Sequence, residues 1–440
     1  MNDGTGRRNG GFALKSWHLI LALLVLVVGL ITLHVTLRQN SLKRRLAGLR
    51  AAGYPTSFAE LEEQTRLPEG APNGAEAYLR AFAAYVPPVN EVTVPIVGKA
   101  PSLDRGVPLS EPATKAISKC LADNQRCLSL LHEAAGFKDS RYGWTAKDYA
   151  SPLTELGDLR LSARLLQLAA IFHAHQGDPN AAVTCVKDGL RLADSLGREL
   201  MLISYLVRVA CTAVALGGLE QSLSVTTFTD AQLQELHAAL TAADATLDFT
   251  QTLVAERCCM LENCRNPSLM GGSGVNIPIH ILPGVRGRGL IDTLDYMEDC
   301  IAASKLPPAE RLAKFRAAGK HVDDLSIFHV MIKIVAPSLS RIGELDLRLR
   351  AHLDLARTAL ALERYRLATG RLPEQLEDLV PQYLAQVPID PFDGQPLRYQ
   401  RREPGYLLYS VFEDGQDNGG KEKADVDRGD PHDWCFRVTR

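Results

Sequence analysis

Residues 19–37 read LILALLVLVVGLITLHVTL, nineteen positions without a charge, fourteen of them Leu, Ile or Val. No other feature narrows the possible folds so far. Wound as an α-helix, the run spans roughly 28 Å at about 1.5 Å per residue, close to the ~30 Å hydrocarbon layer of a bilayer. At roughly −0.5 kcal/mol for each branched aliphatic residue near the bilayer centre, insertion is favourable. Trp17 precedes the run, where an interfacial aromatic belongs. The run is too long for a cleaved signal peptide, and no small-x-small pattern follows it. The sequence therefore predicts a short N-terminal segment over 1–16 and an uncleaved single-pass anchor over 17–38. Arg7, Arg8 and Lys15 precede the span, whereas Arg38, Lys43, Arg44, Arg45 and Arg50 follow it. Charge counting alone favours a body on the inner side.

A chain of 440 residues exceeds one ordinary domain, so more than one core is expected. Its formal charge of −2 leaves no footprint for nucleic acid. With 46% hydrophobic but only 6% aromatic residues, the body reads as Leu- and Ala-rich helices. The nine cysteines show no Cys/His spacing that would hold zinc. Cys120 and Cys127 read as one face of one helix, and Cys258, Cys259 and Cys264 lie close together. Buried thiols are the expectation, with a disulfide among them as the alternative.

Residues 39–110 read as a helical and proline-rich connector. A helix ends near Gly53, Pro55 makes a turn, and a second helix opens at Thr56 or Ser57. Val89 to Leu109 is spaced by prolines as strand or loop. Residues 111–335 form a predicted α-helical domain of antiparallel hairpins. Its clearest unit has an apolar stripe at Leu161, Leu165, Leu168 and Phe172. Gly177 then stops the helix, Asp178 caps the next and Pro179 fills its first turn. This hairpin resembles a tetratricopeptide-like unit in kind, without a 34-residue repeat. Thr229 and Gln232 form a capping box. The glycine-rich stretch Asn266–Thr293 lacks the phosphate-loop pattern and reads as a loop between helices.

No catalytic residues emerge. His173 and His175 are two apart and so project to different sides of a helix, unlike a zinc pair. The adjacent acids Glu62–Glu63 and Asp323–Asp324 do not aim at one bond. No nucleophile elbow or metalloprotease motif occurs. The chain reads as a non-enzyme, with an enzyme using a cavity between the helices as one alternative. Another is an extracytoplasmic adaptor that binds a protein partner.

The last hundred residues carry the most specific pattern. A helix is predicted from near Leu339, after Pro337, to about Thr369, with Leu349, Leu353, Ala356, Leu360 and Leu367 on its buried stripe. Gly370 ends it, and Pro373 opens a short helix with Leu376, Leu379 and Val380 inward. "PLRYQ" and "YLLYSVF" read as a hairpin turning at "REPG". An acidic, glycine-rich run to Asp430 follows. The matching residues are Gly370, Pro373, Asp390, Pro391, Phe392, Pro396, Tyr399, Tyr406, Ser410, Asp414, Gly415, Gly419, Gly420, Ala424 and Asp425. In this order they resemble the soluble domain of the major, G-type pseudopilin of bacterial type II secretion systems. The resemblance covers roughly residues 345–427. The family has glycine where Phe412 stands. After the Gly11–Phe12 junction Lys15 and Ser16 interrupt, and the family's leader glutamate is missing, so assembly into a pseudopilus is not expected.

The resemblance implies a small α+β module over 338–440, a body outside the cytoplasm of a bacterium, and calcium held by the acidic loop. Asp414 and Asp425 are the matched side-chain ligands, with Ser410, Asp417 and Asp427 as further candidates. Carboxylates mixed with backbone carbonyls suit calcium's six to eight oxygens, and the glycines let carbonyls converge. Without a cation these carboxylates would repel one another. The expected protein is thus mainly α: an anchor in the cytoplasmic membrane, a helical domain and a calcium-stapled terminal module. Its expected role is structural or interaction-based, with protein partners or self-assembly open.

Overall fold

In the computed structural model, residues 16–144, 154–199, 201–265, 283–321, 330–402, 404–427 and 429–440 are described. Helix α1 (Ser16–Ala51) runs unbroken for 36 residues. The predicted anchor and the start of the connector are therefore one element, with no joint at residue 38. Its large apolar side chains from Leu19 to Leu33 are exposed. Its final turns are not: Leu46 is buried and packs, with Leu42 and Leu49, against Leu261, Leu290 and Leu294. Gly53 takes φ +82, and the Tyr54 N–H donates back to the Leu49 carbonyl at 3.0 Å, which closes the helix end. Ser57 caps α2 (Phe58–Thr65). Buried Arg257 donates to the Pro55 carbonyl at 2.8 Å and ties this turn to the body.

Next come α3 (Gly74–Ala83), α4 (Glu111–Asp123) and α5 (Gln125–Ala135). The proline-spaced stretch between α3 and α4 is turns and one 3-10 helix, Glu91–Thr93, rather than strand. Cys120 and Cys127 fall on two helices, not one, because Asn124 breaks the chain between them. The Asn124 side chain accepts from the Val86 N–H at 2.9 Å and donates to its carbonyl at 2.8 Å, satisfying backbone that the helices leave open. The eight described cysteines are free thiols, six of them buried; the Cys264 side chain lies outside the described residues.

The predicted hairpin is present as α6 (Thr154–His175) and α7 (Pro179–Asp194). Gly177 has φ +73, and Asp178 accepts from the Ala181 N–H at 3.0 Å. Then follow α8 (Leu202–Val225), α9 (Asp230–Ala245) with its Thr229–Gln232 capping box, and α10 (Phe249–Arg265). Helices α11 (Pro283–Ser304), α12 (Pro308–His321) and α13 (Val330–Thr369) complete the helical part. The glycine-rich stretch expected as a loop is helical from Pro283 onward; its portion 266–282 lies outside the described residues, as do Asp323 and Asp324. Among the described residues two helices, α1 and α8, are long and apolar enough to cross a membrane, but α8 is mostly buried within the core.

Helix α13 starts before Pro337, not after it. A proline inside a helix removes one hydrogen bond; here burial of Ile332 and Ala336 beside Tyr296 holds the turn in place. Leu349, Leu353, Ala356 and Leu360 are buried as expected, but Leu367 is exposed. The short helix is a 3-10 turn, Leu376–Leu379, and Val380 faces outward. Strands β1 (Arg398–Arg402) and β2 (Gly405–Ser410) pair as the predicted hairpin, and β3 (Trp434–Val438), which the sequence did not announce, pairs antiparallel with β2. Among the described residues the fold is mainly helical with this one small sheet. The sheet is not set apart. Tyr406, Leu408, Phe436 and Val438 belong to the same core as α8, α9 and α13.

That core contains buried charge. Asp346 on α13 is fully buried and accepts from Arg311 of α12 at 3.0 Å, Arg350 at 3.2 Å and the Tyr205 hydroxyl of α8. Arg350 reaches on to Asp244 of α9 at 3.2 Å, and Arg357 donates to the same carboxylate at 3.1 Å. Removing one member of such a network strands the others. Asp346→Ala is expected to cost about 3–5 kcal/mol and Tyr205→Phe about 1–2 kcal/mol, measured by urea unfolding of the full chain. Equal effects would show that Asp346 is not the centre of the network.

Candidate functional site: the acidic C-terminal loop

The loop leaves β2 at Ser410 and returns at β3, and its ends are fixed by two buried carboxylates. Asp390 accepts from the Ser410 hydroxyl at 2.9 Å and from the N–H groups of Phe392 and Val411 at 3.0 and 2.8 Å. Arg398 approaches it at 3.2 Å. Asp433, 2% exposed, accepts from the N–H groups of Asn418 and Gly420 at 3.3 and 2.7 Å. Burial holds both carboxyls above the usual range, and these N–H groups offset only part of that rise. Gly420 cannot be another residue: it has φ +74, and a Cβ there would lie 2.3 Å from the Leu407 side chain.

Phe412 occupies the position where the resembling family has glycine, and its φ is +62. Packing offsets that strain. The ring stacks on Trp434 at 5.5 Å between centroids, meets Phe392 edge-on at 6.0 Å, and carries the Arg348 guanidinium at 4.5 Å. Beneath them, buried His352 sets its ring edge-on to Trp434 and Phe436.

The acids are matched by arginines. Glu413 accepts from Arg341 and Arg348 at 2.7 and 2.6 Å, which hold its carboxyl below the usual range against burial, and Arg316 donates to its carbonyl at 2.7 Å. Glu422 pairs with Arg105 at 2.8 Å and Arg437 at 3.2 Å. Arg105 also reaches Glu220 of α8 at 3.2 Å, whose carboxyl burial pushes up to about 7.

The five predicted ligands are distributed as follows. Ser410 is buried behind the loop on Asp390. Asp414 accepts from the Gln416 N–H and from Asn418 Nδ2 at 3.0 and 3.1 Å. Asp417 accepts from the Tyr409 hydroxyl and the Gly419 N–H at 3.1 and 2.8 Å. Asp425 accepts from the Glu422 N–H at 3.1 Å and pairs with Arg437 at 3.2 Å. Asp427 is exposed. Asp414 and Asp417 both face Asp433 electrostatically, whereas Asp425 belongs to Arg437. Among the described residues no three His, Cys, Asp or Glu side chains group as a metal site. As placed, the set does not fit a calcium cage. Arginines pair with Glu413, Glu422 and Asp425, whereas Asp414 and Asp417 are held by N–H and hydroxyl donors.

Two small clefts lie elsewhere among the described residues. One lies at Arg141, Glu199 and Trp144, another at Tyr205, Arg208 and Thr246, each with room for about one water. Arg141 already pairs with Glu199, and Arg208 with Asp194. His173 and His175 sit half-buried near the end of α6, and burial lowers His175.

No family model, curated protein or solved structure matches this chain. The pseudopilin resemblance rests on its motif residues alone.

The neutral His352 gives a pH signature. Burial, then Arg105 and Arg348, lower its folded value from 6.5 to about 3. Unfolded, the ring takes up a proton below about 6.5, which the folded ring cannot do until about pH 3. Stability is therefore full above the unfolded value and falls as pH drops through this window. His352→Phe is expected to lose less melting temperature than the parent between pH 6.5 and 4, where an equal loss would assign the slope to carboxylates.

Proposed function

We propose that this chain is a single-pass membrane protein whose helical body and terminal sheet form one structural and interaction unit outside the cytoplasm. The observation that carries it is the division of α1. Its charge-free half presents exposed aliphatic side chains, and its polar half docks on the body. An exposed apolar surface of that length is unfavourable in water and favourable in lipid. The outward placement is supported by the pseudopilin-like loop; the basic residues after the span argue for the inner side. The adaptor reading draws on the α6–α7 hairpin and differs only in what the body binds.

Placing Arg at both Leu26 and Val27 adds about 2.5–3.5 kcal/mol per residue to insertion. That variant is expected to leave the membrane fraction, while the parent stays there through an alkaline wash. A variant that remains embedded would overturn the anchor. A reporter at the C-terminus is expected to be active outside the cytoplasm.

Calcium at the loop would have to take Asp425 from Arg437 and Asp414 and Asp417 from their N–H donors. With the arginine pairs in place, millimolar calcium is expected to leave the melting temperature unchanged. A rise of several degrees that disappears in Asp425→Ala would reinstate the cage.

A further inference from the structure

Helices α9 and α13 lie antiparallel, and their ion pairs share one register. Arg364 donates to Asp230 at 2.6 Å near the start of α9, and Arg350 donates to Asp244 at 3.2 Å near its end. The two acids and the two arginines are equally spaced along their helices, by about four turns. Midway between them the same register sets His237 of α9 opposite Arg357 of α13. That rung has no acid. Arg357 turns instead to Asp244 at 3.1 Å and to Asp354 of its own helix at 2.5 Å. Beneath the rungs, Leu233, Leu236 and Leu240 are buried in the shared core, so the polar ladder forms the rim of an apolar seam.

The surroundings of His237 are one-sided. Helix α9 packs on α13 and α7. From α13 the half-buried ring faces Arg357 and Arg364. On its own helix, Asp230 and Asp244 lie two turns away on either side, and arginines already hold both. On the α7 side, Lys187 pairs with Glu235, and Asn180 accepts from Gln232 at 2.6 Å. Burial, then the two guanidinium groups, hold the imidazole below its usual range. An unfolded or released α9 would take up a proton from about pH 6.5 downward. Because the folded value is depressed, the contribution of this contact is complete above that pH and is lost as pH falls.

We propose that the His237 rung is an acid-operated catch: a proton on the ring lines up three cations along the α9–α13 seam, and α9 lifts from its apolar bed. Release bares Leu233, Leu236 and Leu240, which the closed seam keeps from solvent. The catch thus places an apolar surface of the body under the control of pH. It does not depend on the membrane anchor proposed above.

The test is peptide-resolved hydrogen exchange on the full chain at about pH 7.5 and about pH 5, with protection corrected for the intrinsic pH dependence of exchange. Protection of α9 is expected to fall severalfold more than that of the α6–α7 hairpin. In His237→Gln, which carries no titrating ring, this excess loss is expected to vanish. His237→Glu supplies the missing acid opposite Arg357 and is expected to raise α9 protection at pH 7.5 above that of the parent. An α9 that loses no more protection than α6–α7 overturns the catch. So does an excess loss that persists in His237→Gln, or a His237→Glu chain whose α9 is less protected than the parent's while α6–α7 is unchanged.

Discussion

How one buried carboxylate is shared sets the way the central helices meet. Asp346 receives Arg311 from α12, Tyr205 from α8 and Arg350 from its own helix, and Arg350 hands the network on to Asp244 of α9. Buried ion pairs often stabilise little compared with well-packed apolar residues, because desolvation consumes the Coulomb gain. Their geometry is nonetheless demanding. A one-residue slip of α13 would take Asp346 away from Arg311 and Tyr205, leaving it only Arg350 of its own helix and leaving those two donors without their acceptor. The network therefore discriminates between packings of Leu-rich helices that apolar contact alone would treat as similar.

The terminal loop uses the same device nearer the surface. Three of its acids are answered by arginines from the connector, α13 and β3, at sequence separations from 12 to 317 residues, and Arg316 of α12 donates to a loop carbonyl. The connector and α13 pairs join the loop to different parts of the body, whereas Arg437 ties it to its own sheet. A module held this way does not detach as a unit, which accords with the shared core of α8, α13 and the strands. Phe412 shows the local side of that arrangement. A backbone conformation suited to glycine is retained with a large ring because Arg348 and Trp434 enclose it.

What was legible in the sequence was short in range. The Gly177–Asp178–Pro179 stop and start, the Thr229–Gln232 box and the hairpin at residues 398–410 are each decided by neighbours within a few positions. What was missed depends on partners far away. Pro337 obeys a local rule that burial of Ile332 and Ala336 overrides. Asn124 ends a helix because Val86, 38 residues earlier, offers it a peptide group. Strand β3 is recognisable only once β2 is there to pair with. Asp433 and Asp390 organise the loop through backbone N–H groups, which leave no mark in residue type. Nor does residue type announce that Glu413 and Glu422 meet guanidinium groups from α13 and the connector.

The uninterrupted course of α1 has a mechanical consequence. A linker would let the body move freely, but α1, roughly 54 Å long, contains no proline and runs unbroken through Gly29 and Gly48 into its docked half. In the membrane anchoring proposed above, any tilt of the span is passed along the same helix to its docked end. Bilayers of different thickness, which tilt a helix by different amounts, would lean the whole body like a mast stepped in a moving deck.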